Sequence, residues 1–449
     1  MTVTEPEAGK NDARPLLPGF DAVDPPQSAL IDKCVHCGFC LPSCPTYMLW
    51  GEEMDSPRGR IYLMKAALDG RTPISESFVR HFDACLGCMA CVTACPSGVQ
   101  YGPLVERTRA QIERHYERPL FDRLFRAGLF SLVPYPNRLR VLLAPLALVG
   151  GAVRAFGRSR LSTMLPARLR ALLTLAPRVR WAAITGRVAE RTPAVGTPRL
   201  TVGLLTGCVQ RLVFSHVNTA TINVLAAEGC EVIAPPTQGC CGALALHAGR
   251  LDEARAFARK LIAAFEKSGV DRIVVNAAGC GSSMKEYGEL LADDPAWASR
   301  AHAFASRVRD VSEVVSELGA PRAPRHPLKG TVVYHDACHL AHAQGVRAQP
   351  RDLLRAIPGL DVVSPAEPEV CCGSAGIYNL VQPEMANDLL ERKLKHIKST
   401  GAEVVATGNP GCLLQIVNGA KREHLPLRVV HPITLLAEAY RNDGPFHAH

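Results

Sequence analysis

Cys34-Val-His-Cys37-Gly-Phe-Cys40-Leu-Pro-Ser-Cys44-Pro45 and Cys85-Leu-Gly-Cys88-Met-Ala-Cys91-Val-Thr-Ala-Cys95-Pro96 are two copies of one pattern, and they decide how the N-terminal part of the chain folds. Each reads C-x2-C-x2-C-x3-C-P, the spacing of bacterial runs that hold iron–sulfur clusters. Three thiolates two residues apart can wrap one face of a cube. The fourth lies three residues further on and precedes a helix-breaking proline, so it is turned toward the neighbouring cube. This crosses the ligand sets. Cys34, Cys37, Cys40 and Cys95 are assigned to one 4Fe–4S cluster, and Cys44, Cys85, Cys88 and Cys91 to the other. Zinc is the competing reading, because four thiolates also close a tetrahedral zinc site. Zinc ribbons pair two C-x2-C knuckles, and they leave a third cysteine and a Cys-Pro without a use.

Between the runs the sequence supplies a helix. Ser56 is its N-cap and Pro57 its first residue; Ile61, Leu63, Met64, Ala67 and Leu68 follow, and Gly70 and Pro73 close it. Two cluster-binding loops joined by a helix predict an alpha-helical ferredoxin-type domain. Cys44-Pro-Thr-Tyr47, Gly51-Glu-Glu, Asp55-Ser-Pro-Arg-Gly-Arg-Ile-Tyr-Leu63 and Cys95-Pro-Ser-Gly98, together with the first cysteine run, resemble the iron–sulfur subunit of bacterial glycolate oxidase (glycolate dehydrogenase).

The 17 cysteines of this 449-residue chain are clustered, and residues 1–30 lack a charged segment followed by an apolar one. A reducing cytosol and metal ligation are therefore expected rather than secretion and disulfides. The net charge of +9 is uneven: residues 101–200 hold eighteen arginines, no lysine and five acidic residues. Arginines interleaved with aliphatics predict short amphipathic helices. They lie either on an anionic membrane surface or a partner, or as solvated linkers. No uninterrupted apolar run approaches a membrane span. Aromatic residues are too sparse here for nucleic-acid binding.

From Leu200 the texture becomes strand–helix alternation. Apolar strands are expected at Leu200–Leu205, Glu231–Ala234, Arg272–Asn276, Thr331–Tyr334, Asp361–Val363 and Val404–Thr407, which indicates parallel α/β sheets. Cys208, Cys240, Cys241 and Cys280 recur as Cys338, Cys371, Cys372 and Cys412 at an almost constant offset, so the modules are homologous. They resemble paired cysteine-rich CCG domains. The expected fold is therefore α+β and multidomain. Its parts are a flexible tail (1–24), the helical ferredoxin-type domain (25–117), an Arg-rich helical connector (118–198), a first CCG module (199–322) and a second (323–449).

The eight CCG cysteines are candidate ligands for a further iron–sulfur or zinc centre in each module. The full family motif ends in C-x2-C, and here that last position is Ser283 in the first module and Gln415 in the second. His335, Cys338 and His342 match a His-x2-Cys-x3-His element shared by the family. With His339, these histidines could be ligands, proton relays or core polar groups. Cys230 has Leu360 at the equivalent place and reads as a plain buried cysteine.

No dinucleotide or phosphate-loop fingerprint is present. Oxidation of a 2-hydroxy acid removes a hydride equivalent, whereas iron–sulfur clusters take single electrons, so a flavin on another chain must split the pair. The resemblance implies an electron-transfer subunit of a multi-subunit glycolate dehydrogenase (glycolate to glyoxylate). Flavin-containing subunits would be its partners and a quinone its acceptor; from the composition, the expected place is the cytoplasm, with peripheral contact on the inner face of the cytoplasmic membrane as the further expectation. Lactate or glycerol-3-phosphate stands as the alternative substrate, and a non-redox docking scaffold as the alternative role.

Overall fold

The computed structural model describes residues 19–441, apart from Arg178 and Arg180 and the side chains of Arg158 and Arg160. The expected tail up to position 18 lies outside the described residues. Residues 19–24, grouped with the tail by composition, are instead anchored. Asp21 accepts hydrogen bonds from Gln111 and Arg114, and Asp24 pairs with Arg107 and Arg255. The bases that hold these two carboxylates lie far along the chain, so local composition gave no sign of them.

Helices Ser28–Ile31, Pro45–Trp50, Pro57–Leu68, Glu76–Ala84, Ala90–Thr93 and Tyr101–His115 enclose the first core, built on Ile61, Met64, Phe78, Phe82, Leu104 and Ile112. The Pro57–Leu68 helix begins as expected. The Ser56 hydroxyl accepts from the Gly59 amide at 3.0 Å, and Pro57 occupies a first-turn site where no amide is needed.

The connector departs from the expectation of short helices only. Leu120–Leu132 is followed by one helix over Pro136–Arg158, which starts at Pro136 and runs through Pro145, and then by Ala167–Thr174 and Trp181–Thr185. By length and composition Pro136–Gly157 could cross a membrane, and little of it is buried. Scattered arginines hid this length, because they interrupt the apolar run without ending the helix.

Nine strands follow among the described residues: β1 (Arg191–Thr192), β2 (Leu200–Leu204), β3 (Cys230–Ile233), β4 (Arg272–Val275), β5 (Val308–Asp310), β6 (Gly330–Tyr334), β7 (Leu360–Val363), β8 (Val404–Ala406) and β9 (Arg428–Val430). The first sheet has the order β1-β3-β2-β4-β5, and the second β7-β6-β8-β9. Apart from the antiparallel edge pair β1–β3, all pairs are parallel. The repeat extends to register: Leu200 faces Cys230 and Gly330 faces Leu360. The six expected strands are present to within a residue or so. β1, β5 and β9 are edge strands of two or three residues, too short for periodicity to mark.

The modules share one core. Helix Ser215–Ala227 of the first packs on Pro432–Arg441 of the second, while Val311–Glu317 of the first packs on Ala348–Arg355 of the second. The contact is thus a swap of equivalent helices about a pseudo-two-fold axis. Val217, Leu225, Val314, Leu354, Ile433 and Leu436 are buried in it. Each such side chain contributes about 1.5–3 kcal/mol, so neither module is complete alone.

Candidate metal centres

In both N-terminal runs the residues on either side of the second cysteine adopt left-handed backbone: His36 and Gly38 about Cys37, Gly87 and Met89 about Cys88. Glycine occupies opposite slots in the two copies, yet the conformation is the same. Alternating left- and right-handed residues curl the chain into a concavity, with successive amides pointing inward, which suits an anionic iron–sulfur group. His36 and Met89 hold this shape against a cost of about 1–2 kcal/mol each.

The tertiary structure gathers the thiols in the crossed sets. Cys34, Cys37, Cys40 and Cys95 line one cavity, with Cys91 at its inner wall. Cys44, Cys85, Cys88 and Cys91 line the next, so Cys91 borders both. Thiol donors gathered in this way suit iron–sulfur ligation, and all 17 cysteines are free thiols. The first cavity opens outward. Cys37 is exposed, and Val35, Phe39 and Tyr62 around it are exposed apolar residues. Three cysteines of the second cavity, Cys44, Cys85 and Cys88, are buried, and burial followed by neighbouring thiols pushes Cys88 and Cys91 well above the ordinary thiol value.

Around the second cavity stand groups that cysteine spacing could not reveal. Arg60, 1% exposed, donates to the His81 carbonyl at 2.7 Å, to Thr46 Oγ1 at 3.1 Å and to Asp55 Oδ1 at 3.1 Å. Its guanidinium lies 4.0 Å from Cys44 Sγ. Burial acts most strongly on Cys85 and alone would raise it, but the charges of Arg60 and Arg109 together hold it below the ordinary thiol value. A buried cation beside buried thiolates offsets the negative charge that a cluster and its ligands bring. Arg60 and Asp55 lie in the stretch that carries the family resemblance, and that was their only signal.

In each CCG module the four cysteines also converge. Cys240 Sγ lies 3.7 Å from Cys208 Sγ, and Cys241 bridges Cys240 and Cys280. Cys371 and Cys372 link Cys338 to Cys412 in the same way. The Cys-Cys pairs lie in loops after β3 and β7, so both members of each can be buried together. Cys280 and Cys412 sit inside the first turns of helices Ala278–Lys285 and Pro410–Arg422 rather than ahead of them. Ser283 is buried and its hydroxyl has no hydrogen-bond partner. Gln415 is committed to Asn379 and to the Ala386 carbonyl. Cys230 is buried on β3, away from the other thiols of its module.

The two modules meet the ferredoxin-type domain differently. Cys88 and Leu86 pack directly against Cys338, Cys371 and Tyr378 of the second module. The Tyr378 hydroxyl donates to the Ala84 carbonyl at 2.9 Å, and Thr93 Oγ1 lies 2.9 Å from His342 Nδ1. The first module's cysteines pack within their own module, against Leu205, Phe265 and Tyr287. It docks through backbone instead. A Cβ on Gly249 would lie 2.3 Å from the Arg109 backbone carbon. Arg109 donates to the His247 carbonyl at 2.7 Å and to Phe82 at 3.1 Å. His247 Nδ1 lies 2.9 Å from Glu106. Burial raises Glu106 to about 8 and lowers His247 to about 4, so the two are paired as neutral groups. His339, beside Cys338, has its ring centre 4.9 Å from that of His247, with the two rings tilted at 49°. His342 is turned to the ferredoxin-type domain, and His335 lies under the thiols of the second module.

Of the connector arginines, Arg168 is bound to Asp122 and the Val381 carbonyl, and Arg154 to the Pro177 carbonyl. The exposed residues of this region are largely apolar: Val141 (75%), Leu148 (80%) and Met164 (85%). The expected arginine surface is therefore partly spent on internal contacts, which the sequence could not separate from solvent-facing charge.

Comparison with known families agrees with this organisation. The 4Fe-4S dicluster domain family matches residues 30–99, and the cysteine-rich domain (CCG) family matches residues 202–285 and 332–417. The chain is 40% identical over 419 residues to the "Probable glycolate oxidase iron-sulfur subunit" of Bacillus subtilis (strain 168), covering 91% of this chain and 93% of that one. To the "Glycolate oxidase iron-sulfur subunit" of Escherichia coli (strain K12) it is 34% identical, covering 88% and 91%. "Lactate utilization protein A" of Oceanobacillus iheyensis is 32% identical over 54% of this chain and 98% of its own.

Proposed function

The chain belongs to the family of glycolate oxidase iron–sulfur subunits, non-catalytic members of an oxidoreductase complex, and from that premise we propose that it carries electrons from a flavin on partner subunits to a quinone-type acceptor. The observation that carries this reading is the continuous line of thiols. It starts at exposed Cys37, passes Cys91 between the two cavities, and reaches Cys88 packed on Cys338 and Cys371.

Cys34, Cys37, Cys40 and Cys95 would hold the outer cluster, and Cys44, Cys85, Cys88 and Cys91 the inner one. Iron–sulfur clusters, when bound, supply one-electron acceptance over a wide range of potentials. The chain's own residues do the rest. Val35, Phe39 and Tyr62 offer an apolar rim on which a flavin subunit can seat beside Cys37. Arg60 offsets buried negative charge, and Leu86 and Tyr378 keep water from the junction with the second module. No group in the line is placed to take a hydride, which keeps the substrate chemistry on the partner chain.

The exposed apolar face of Pro136–Arg158 and its neighbours favours peripheral seating on the cytoplasmic membrane, close to a quinone pool. Co-floatation with anionic vesicles tests this. Val141→Asp with Leu148→Asp should abolish it, and unchanged floatation would overturn it.

The test of the main reading uses the complex with its flavin subunits under anaerobic conditions. Substrate should reduce clusters in the wild-type chain. Cys40→Ser should remove the outer cluster and stop reduction of the inner one. Reduction of the inner cluster at the wild-type rate in that variant would sink the line of transfer. The close match to lactate utilisation proteins favours lactate as the second reading. Supplying glycolate and lactate separately to the same complex distinguishes the two.

A further inference from the structure

The second module buries an imidazole among its thiols. A ring nitrogen of His335 and the Sγ atoms of Cys372 and Cys412 all lie within 4.8 Å of one another, and all three residues are buried. His335 Nδ1 is buried with no hydrogen-bond partner. With Nδ1 unpartnered, the Pro368 carbonyl that faces the ring is left to Nε2. A buried imidazole nitrogen without a partner is costly in a folded chain, and one aimed at two thiols has the geometry of a ligand. The carbonyl on the opposite nitrogen is the support that metal-binding histidines ordinarily have, since it fixes the tautomer and the ring plane.

The first module has nothing of this kind. The residue following strand β2 is Leu205, where the residue following β6 is His335. A second difference lies on the helices that cover the sites. A Cβ on Gly242 would touch Ala254, and one on Gly373 would touch Ala386. This aligns helix Leu251–Glu266 with Pro383–Lys398 and sets Leu261 opposite Lys393. Lys393 is 1% exposed and donates to the Glu367 carbonyl at 2.6 Å and the Pro368 carbonyl at 3.4 Å. The carbonyl that orients His335 is thus itself fixed by a buried cation. The first module has a cation of its own, Arg211, but it is directed to Thr206 and the Gly207 carbonyl beside Cys208.

We propose that His335 is a ligand, through Nδ1, to iron in an iron–sulfur centre of the second module, alongside Cys372 and Cys412. The second centre is then a mixed imidazole–thiolate one, and the first, with Leu205 in that place, is all-thiolate. A neutral imidazole brings one negative charge fewer than a thiolate, so reduction is easier and the potential is raised. Lys393 acts in the same direction. The centre that adjoins Cys88 is therefore the better electron sink of the two, which gives the line of thiols its direction. This inference rests on the reading that the second module holds a redox centre.

The test uses the full chain in its complex, labelled with 15N-histidine or left at natural abundance and reduced in steps. The ferredoxin-type clusters have only cysteine ligands, so a strongly coupled histidine nitrogen in the magnetic resonance of a reduced cluster can come only from a CCG module. We expect one such nitrogen in the wild type. His335→Leu should abolish it, and His335→Cys should abolish it while keeping the iron and lowering the potential of that centre. Should His335→Leu fail to fold, His335→Cys retains a donor of smaller volume and carries the test. The inference is overturned if iron and sulfide exceed the two N-terminal clusters and no nitrogen is coupled, or if the coupling survives both substitutions. Iron and sulfide for two clusters only would instead sink the reading beneath it, a result the metal count separates from the others.

Discussion

The two CCG modules have the same order of four parallel strands, the same register and four equivalent thiols, but they are joined to the rest of the molecule by different chemistry. The second meets the ferredoxin-type domain with its cysteines, Cys338 and Cys371 lying against Cys88. The first meets it with a backbone contact at Gly249 and a neutral Glu106–His247 pair, and its own cysteines stay inside the module. Duplication supplied two sets of four thiols, and both docking and residues such as His335 in place of Leu205 make the sites unequal. Equivalent ligands are therefore no guide to equivalent roles.

The largest effect expected from this contrast is on electron flow. In the complex, Cys372→Ala should reduce substrate-driven reduction of the acceptor to background while both ferredoxin-type clusters still reduce. Cys241→Ala should retain most of it. Equal losses in steady-state assays would erase the functional distinction between the modules.

Next in size is the docking of the first module. Gly249 has a φ of +80°, and any side chain there runs into the Arg109 backbone. Gly249→Val should cost about 1–2 kcal/mol for the left-handed backbone and about 1–3 kcal/mol more for the overlap. Chemical denaturation should show this, with the first module released to proteolysis first. A wild-type midpoint would mean that the close approach is not maintained in solution.

At the second module the contact combines apolar packing with the Thr93–His342 and Tyr378–Ala84 hydrogen bonds. Tyr378→Phe should cost about 1 kcal/mol, because it removes a buried donor to the Ala84 carbonyl and leaves the packing in place. A loss as large as that from Gly249→Val would reverse the ranking of the two docking modes.

The smallest effect is in pH dependence, where the modules should differ in shape. Glu106 is raised from 4.5 to about 8, chiefly by burial, so its contribution is full below pH 4.5 and is lost as pH rises through about 8. His247 is lowered from 6.5 to about 4 by burial and by Arg109, so its contribution is full above pH 6.5 and is lost as pH falls through about 4. The first module's contact should thus weaken on both sides of a maximum between pH 4.5 and 6.5. His342 at the second module's contact is lowered by burial, which gives an acid limb alone. Stability measured across pH should lose its alkaline limb in Glu106→Gln. Persistence of that limb would assign it to another group.

The cysteine runs, the grouping of their thiols around two cavities, the Ser56–Pro57 helix start and the twofold repeat of the CCG modules could all be read from the chain. Each rests on spacing within a few residues or on a pattern that recurs along the sequence. Local backbone geometry sets where thiols a few positions apart can point, so such signals survive without a fold. The length of helix Pro136–Arg158 was obscured, because arginines such as Arg154 break an apolar run but bind carbonyls in the folded chain. Lys393, Glu106 and His247 carried no pattern at all, and Arg60 only its place in the stretch of family resemblance. Their meaning comes from partners brought close by packing: a thiol for Arg60, the Pro368 carbonyl for Lys393, and a neighbouring domain for the neutral pair. His335 stood within a recognisable element, yet only the fold put its free nitrogen beside Cys372 and Cys412. The sequence determined which residues could bind metal, because ligand spacing is a local property. Tertiary structure decided which site adjoins Cys88, and that His335 and Lys393, where the first module has Leu205 and Leu261, stand beside the thiols of that site. Those placements depend on contacts between residues far apart in the chain, which spacing does not encode.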